Sequence, residues 1–212
     1  MLEFIKESTL EQLVVVFSVP IYAFIILFEM VLSNIQHRSF YTVKDTFSNI
    51  YLMLLNMGLD LISRSFTWAI LAFFFSYRLF TIDNPIIYWV LLFLAEDFAY
   101  YTLHYFDHFS RFFWAVHVTH HSSEKFNLTT GFRSSVFQPL YRFIYFIPLA
   151  LMGFKIEDMA VMFSITQIYG ILVHTRYIPK LKNTAFGFVE KIFVTPSHHR
   201  VHHGSNIEYL DK

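Results

Sequence analysis

Apolar stretches of membrane length alternate with short polar segments along this chain. Residues 12–28, "QLVVVFSVPIYAFIILF", carry no charge and predict a first membrane helix. Pro20 is tolerable there, because kinks in membrane helices are re-satisfied locally. A polar segment, "SNIQHRSFYTVKD", follows. Residues 46–80 form a second apolar stretch with Asp60 and Arg64 in its middle. As one helix this stretch is roughly 50 Å long against a hydrocarbon core of about 30 Å. It therefore either projects from the membrane or splits near Asp60. Asp60 and Arg64 stand at i and i+4, acid first, the spacing of a pair that shields itself inside a bundle. After "TIDNP", residues 86–95 open an apolar helix that continues into the tyrosine- and histidine-bearing "EDFAYYTLHYFDH". Apolar segments at about 136–152 and 159–175 complete the pattern. The expected fold is all-α: one domain over residues 1–212, an integral membrane bundle of about four to five membrane helices with a histidine-rich polar cap.

Composition agrees with a chain solvated partly by lipid. Hydrophobic residues make up 55% of the 212 positions and aromatics 20%, against 15% charged. The formal charge of zero gives no footing for nucleic acid. With no cysteine, disulfides, zinc ribbons, thiolate catalysis and cysteine-held iron–sulfur clusters are excluded, so any metal is held by His and carboxylate. The opening "MLEFIKESTLEQ" is mixed in charge and no small-residue cleavage site follows, which reads as a retained anchor. Basic residues such as Arg111, Lys125, Arg133, Lys180, Lys191 and Arg200 fall in or near the histidine-rich regions. The positive-inside rule then places the cap on the cytoplasmic side of a multi-pass protein, in a bacterial inner membrane or the endoplasmic reticulum.

Ten of the eleven histidines fall in four places, and only His37 stands apart. "HYFDH" holds His104 and His108; "HVTHH" holds His117, His120 and His121; "LVHTRYIP" holds His174; "SHHRVHH" holds His198, His199, His202 and His203. On a helix, i and i+4 side chains share a face roughly 5–6 Å apart at Cβ. His104/His108, His117/His121 and His199/His203 fit that relation, with His120 and His202 at i+3. His198 and His202 offer a competing pair, so His198 is also a candidate ligand. A protonation switch has no need of this repeated spacing, whereas a shared metal does. Zinc takes three or four protein ligands, and HExxH is absent. A carboxylate di-iron site wants Glu-x-x-His pairs, which are also absent. Haem needs one or two axial histidines rather than a group. Eight to ten imidazoles suit two six-coordinate ions, and imidazole suits iron. A non-catalytic membrane metal-binding or transport protein is the alternative, with ligands spread along a membrane path.

The three boxes in this order, HxxxH, HxxHH and a distant HxxHH, resemble the fatty acid hydroxylase/sterol desaturase superfamily of membrane di-iron enzymes. The likeness covers about residues 85–210. "HVTHHSSEKFNLTTGFRSSVFQ", "HTRYIP" and "TPSHHRVHHGSN" are similar to its alkylglycerol monooxygenase branch and that branch's bacterial relatives. The resemblance implies His104, His108, His117, His120, His121, His199, His202 and His203 as catalytic metal ligands, with His174 as an additional one. It implies two iron ions, O2 and hydroxylation of a C–H bond in an alkyl-chain lipid: an alkylglycerol ether, or a sterol or fatty acyl substrate. No nucleotide fingerprint or fused haem domain is visible, so an external reductant is expected: tetrahydrobiopterin, cytochrome b5 or a ferredoxin-like carrier. Asp97, two turns before His104, is expected to orient a ligand imidazole, with Asp107 and Glu96 nearby. Glu124 and Asn127 match the family's stretch after box two. Arg133 is expected to snorkel to the interface. Relatives usually continue past box three with an aromatic segment, whereas this sequence stops at "EYLDK", so a C-terminally truncated form is expected.

Overall fold

The computed structural model describes residues 8–182 and 184–209, and the readings that rest on residues 1–7 and 210–212 lie outside them. The described residues form seven α-helices, short 3-10 turns and no strand. Three helices are long and apolar enough to cross a membrane: α1 (Leu10–Ile35), α2 (Val43–Ser76) and α3 (Pro85–Phe109). Each starts on a side chain that satisfies otherwise orphaned amides. Thr9 and Gln12 form a reciprocal capping box before α1; Thr42 caps α2; Asn84, just before Pro85, accepts from the Ile86 and Ile87 amides of α3.

α2 does not split at Asp60. It runs unbroken for 34 residues, about 50 Å, because the Asp60 carboxylate is answered from both sides by Arg64, one turn on, and by Arg142. Large apolar side chains on all three long helices face outward, among them Phe24, Ile62, Phe66 and Phe98. On helices of this length, an apolar exterior suits lipid.

The fourth and fifth apolar segments give helices shorter than expected. α5 (Phe143–Leu151) has 9 residues and α6 (Ile156–Leu172) has 17. At 1.5 Å per residue α5 reaches only about 14 Å and α6 about 25 Å, so neither matches a hydrocarbon core as a straight span. They form a hairpin whose turn needs Gly153: its φ is +94°, and a Cβ there would lie 2.2 Å from the Phe80 carbonyl oxygen. The hairpin packs Phe146, Leu149, Ala150, Phe154, Met159 and Met162 against Leu71, Leu92 and Ala99, making the apolar core.

At the other end of the bundle the packing is polar. α3 stops at Ser110, whose extended backbone (φ −93°, ψ 126°) turns the chain directly into α4 (Arg111–His121). That corner brings the first two histidine boxes together. The loop after α4 is tied to the long helices by buried side chains. Glu29 of α1 accepts from Tyr41, from the Leu128 amide and from the Thr175 hydroxyl. Asn49 of α2 reaches the Thr129 hydroxyl at 3.1 Å. Glu190 takes the Leu181 amide and the hydroxyls of Thr195 and Ser197, seating the start of α7 (Pro196–His202).

Glu29→Leu removes one acceptor and orphans three buried donors, each worth roughly 1–3 kcal/mol. The expected outcome is a thermal midpoint many degrees lower in detergent, with the largest loss of hydrogen-exchange protection around residues 126–130 and 174–175.

Candidate metal centre

Nine histidines converge at the ends of α3, α4, α6 and α7. Seen atom by atom they form two adjoining sets. His120, His174, His199 and His203 bring one ring nitrogen each to within 4.8 Å of one another. Beside them, His104, His108 and His117 form one such group and His108, His121 and His202 another, sharing His108. The sets touch: the His121 and His203 rings stack at 4.3 Å, and His120 and His203 are 4.6 Å apart.

The contacts are between Nε2 atoms. His104 and His202 meet at 2.9 Å, His117 and His121 at 3.2 Å, and His174, His199 and His203 close a triangle of 3.0, 3.2 and 3.3 Å. Two nitrogens bound to one ion at about 2.1 Å are roughly 3.0–3.4 Å apart at angles between 90° and 109°. The observed spacings match.

Groups behind the rings fix which nitrogen faces inward. His174 donates from Nδ1 to the Gly170 carbonyl at 2.6 Å, and His120 from Nδ1 to the Arg133 carbonyl at 2.9 Å. Their Nε2 atoms therefore carry lone pairs. His117 Nδ1 lies 3.2 Å from the Ser135 hydroxyl and 3.5 Å from Asp107. Asp107 is fully buried and held by Tyr141 at 2.6 Å and Gln138 at 2.7 Å. Burial, reinforced by Asp107, pushes the Tyr141 hydroxyl up, so it stays a donor.

Electrostatics point the same way. Burial, then the neighbouring imidazoles, hold His117, His121, His199 and His203 well below the usual histidine range; burial and His120 do the same to His174. Burial lowers His120 to about 4, with the Arg133 carbonyl pulling the other way. Neutral imidazoles are what a metal requires. Protonated, nine rings at this separation repel; neutral, their inward lone pairs lack protons. A cation answers both problems, so the residues present fit one.

Two sequence expectations are corrected here and others refined. His198 is exposed and belongs to none of the groups; it is one step, about 100°, around α7 from His199. Asp97 is likewise exposed, because the buried stripe of α3 is Leu92, Glu96, Ala99, Leu103 and Asp107. The carboxylate behind a ligand ring is Asp107. Glu124 is exposed; Asn127 is buried but serves the loop, donating to the Phe40 carbonyl and accepting from Thr129. Arg133 does not snorkel: it spans the Thr119 carbonyl, Ser122 and Asn49 within 3.0 Å. His37 is exposed at a turn with φ 54°. Gly131 was not singled out in the sequence, yet a Cβ there would lie 2.8 Å from the Ile171 backbone and 3.1 Å from His174 Nδ1.

Three helices of membrane length with an imidazole cage at their ends, in described residues that form helices and turns without a strand, make this a membrane protein whose cage could hold metal. Its family follows from comparison: residues 89–210 match the model for fatty acid hydroxylase, and the chain belongs to that family. Alkylglycerol monooxygenase of Homo sapiens is 40% identical over 157 residues, 73% of this chain and 32% of that protein. Those of Xenopus tropicalis and Danio rerio are 37% and 42% identical, over 73% and 58% of this chain and 32% and 26% of their own lengths. The chain thus spans about a third of the length of the curated relatives it matches. No solved structure matches it.

His120→Ala and His202→Ala, one from each set, are expected to lose most bound metal, whereas His37→Ala and His198→Ala keep it; metal analysis of the purified variants reads this directly. Because the cage rings are neutral when folded but protonate near pH 6.5 once unfolded, acid draws the equilibrium toward the unfolded chain. Chelated protein should lose stability progressively as pH falls below about 6.5, through the His120 value near 4. A thermal midpoint that is flat from pH 7.5 to 5 contradicts this.

Proposed function

We propose that this chain is a membrane-bound, O2-dependent non-haem di-iron oxygenase that hydroxylates a C–H bond in an alkyl-chain lipid. The observation that carries the reading is the cage itself, nine imidazoles in two adjoining sets, seven of them meeting through Nε2 contacts of 2.9–3.3 Å. Nine ligands exceed what one zinc takes, and the all-nitrogen donor set suits iron. His104, His108, His117, His121 and His202 would hold one ion, and His120, His174, His199 and His203 the other. Iron bound there supplies reduction of O2 and the oxidising power to attack an unactivated C–H bond.

The chain's own residues do the rest. Asp107, Ser135, Gly170 and the Arg133 carbonyl orient the rings; packing at the helix ends limits water around them. An opening of about 400 Å³ leads to the cage past Trp114, Val118, Gly204 and Ser205 and admits small reactants. The relatives' printed names favour an ether lipid as substrate. Hydroxylation at the carbon bearing the ether oxygen gives a hemiacetal, which collapses to an aldehyde and a free glycerol hydroxyl. The reductant is external, a pterin or an electron-carrier protein, and the basic cap residues favour a cytoplasmic site for it. A metal transporter would string its ligands along a membrane path; here they close into one cage.

Anaerobic purification with metal analysis and optical spectroscopy tests the reading. About two irons per chain, no Soret band and lipid-dependent O2 consumption are expected. One zinc per chain, or a haem spectrum, overturns it.

A further inference from the structure

Between the end of α6 and the start of α7 the chain runs through residues 176–194, a segment the metal cage does not use. Six of its apolar side chains face outward: Ile178, Phe186, Phe188, Ile192, Phe193 and Val194. Phe186 is 64% exposed, Phe188 60% and Ile192 70%. We propose that this segment is an interfacial anchor, lying in the surface of the chain's own bilayer and gathering anionic phospholipid there. The role is separate from the oxygenase reading and needs neither iron nor turnover.

The segment is built to leave water. Near hydrocarbon every backbone amide needs a partner within the protein. Here the amides of Thr184, Gly187, Val189 and Phe193 donate to the carbonyls of Leu181, Thr184, Phe186 and Val189 at 2.8–3.0 Å. Successive turns thus close the segment on itself. Gly187 permits the fold, since a Cβ there would lie 2.7 Å from the Lys182 carbonyl oxygen. With the backbone satisfied internally, little polar surface has to be dehydrated along with the phenylalanines.

Two observations name lipid, rather than a protein, as what covers this face. The first is continuity. The Tyr169 hydroxyl of α6 donates to the Val194 carbonyl at 2.6 Å, joining the segment to the exposed apolar side of α6 that Ile165 and Tyr169 share. Burial, then the Asp97 carboxylate, raises that hydroxyl above its ordinary range, so this end of the segment lies beside α3. Asp97 stands on the outward face of α3 between Leu94 and Tyr101, both exposed. The apolar exterior of a membrane-length helix therefore runs on into the segment.

The second is charge. Arg176, Lys180, Lys182 and Lys191 are all exposed, against Glu190 as the segment's single acid. Glu190 is already taken by the Leu181 amide and the hydroxyls of Thr195 and Ser197. Just beyond, burial and then Arg176 pull the Arg200 guanidinium below its ordinary value, with no carboxylate acting on it. Two guanidiniums placed close together suit a phosphate. Exposed phenylalanines interleaved with basic residues are the composition of a segment that lies on anionic lipid. The hold reaches the cage through Glu190, which seats the helix bearing the third histidine box.

The test uses the full chain in lipid nanodiscs. Because the sequence has no cysteine, a nitroxide can be attached at one chosen position. Labels at Phe188→Cys and Ile192→Cys are expected to be relaxed several-fold more by O2, which concentrates in lipid, than by nickel ethylenediaminediacetate, a neutral complex that stays in water. In the unaltered chain, amide exchange over residues 184–194 should be about tenfold slower in phosphatidylcholine with phosphatidylglycerol than in phosphatidylcholine alone. Replacing Lys180, Lys182 and Lys191 together by Gln should remove that difference with the thermal midpoint unchanged. Free access of the nickel complex to both labels leaves the face to a protein partner and overturns the anchor. Equal exchange in the two lipids, or a difference that survives the triple variant, overturns it as well.

Discussion

Nine imidazole rings cannot be gathered into one cage, seven of them with nitrogens 2.9–3.3 Å apart, unless something holds their lone pairs together. In water such a group repels when protonated and hydrates when neutral. In a buried site neither escape is open, so the rings must be neutral, aimed and restrained from behind. The rest of the architecture follows from that demand. Ser110 breaks α3 from α4 so that two boxes meet; the end of α6 delivers His174; Glu190 seats the short helix that carries the third box.

Lipid makes the restraint harder to build, because an apolar helix face gains little by leaving a solvent as apolar as itself. The bundle accordingly splits its labour. Phe146, Phe154, Met159 and their neighbours pack the hairpin end. Around the cage, cohesion comes from buried polar ties: Glu29 to Tyr41, Leu128 and Thr175, Arg133 to Asn49 and Thr119, Asp107 to Gln138 and Tyr141. Each joins segments far apart in sequence, and each acts where dielectric is low and an unpaired group is expensive. Arg133 shows the economy of the arrangement, since its side chain anchors α2 and α4 while its carbonyl orients His120.

Histidine spacing made the site legible, because i, i+3 and i+4 are local relations that a helix enforces wherever it lies. Eight box histidines and His174 could be named from that pattern and from the family resemblance it carried, and the structure brings all nine together. His198 shows the limit: SHHRVHH contains two overlapping registers, and only the packing of α7 selects between them. Asp97 failed for a related reason. A count of seven residues from His104 is a statement about one helix face, whereas the buried face of α3 was chosen by Glu96, Leu103 and Asp107 meeting α5 and α6. Gln138, Tyr141 and Gly131 were invisible because their roles exist only across the fold, between segments that no local periodicity relates.

α3 is the element that runs from the apolar core to the cage. Its buried stripe changes chemistry along the axis, from Leu92 in the apolar core, through Glu96, to Leu103 and Asp107 beside the cage. Glu96 takes a hydrogen from Thr166 on one oxygen, and its other oxygen has no partner among the described residues. One turn on, the Tyr100 ring stacks on His104 of the cage. The opening at Trp114 and Val118 meets the same cage past His108 and His121. The helix that supplies the first histidine box thus ties the apolar core to the cage, which places a demand for rigidity on α3.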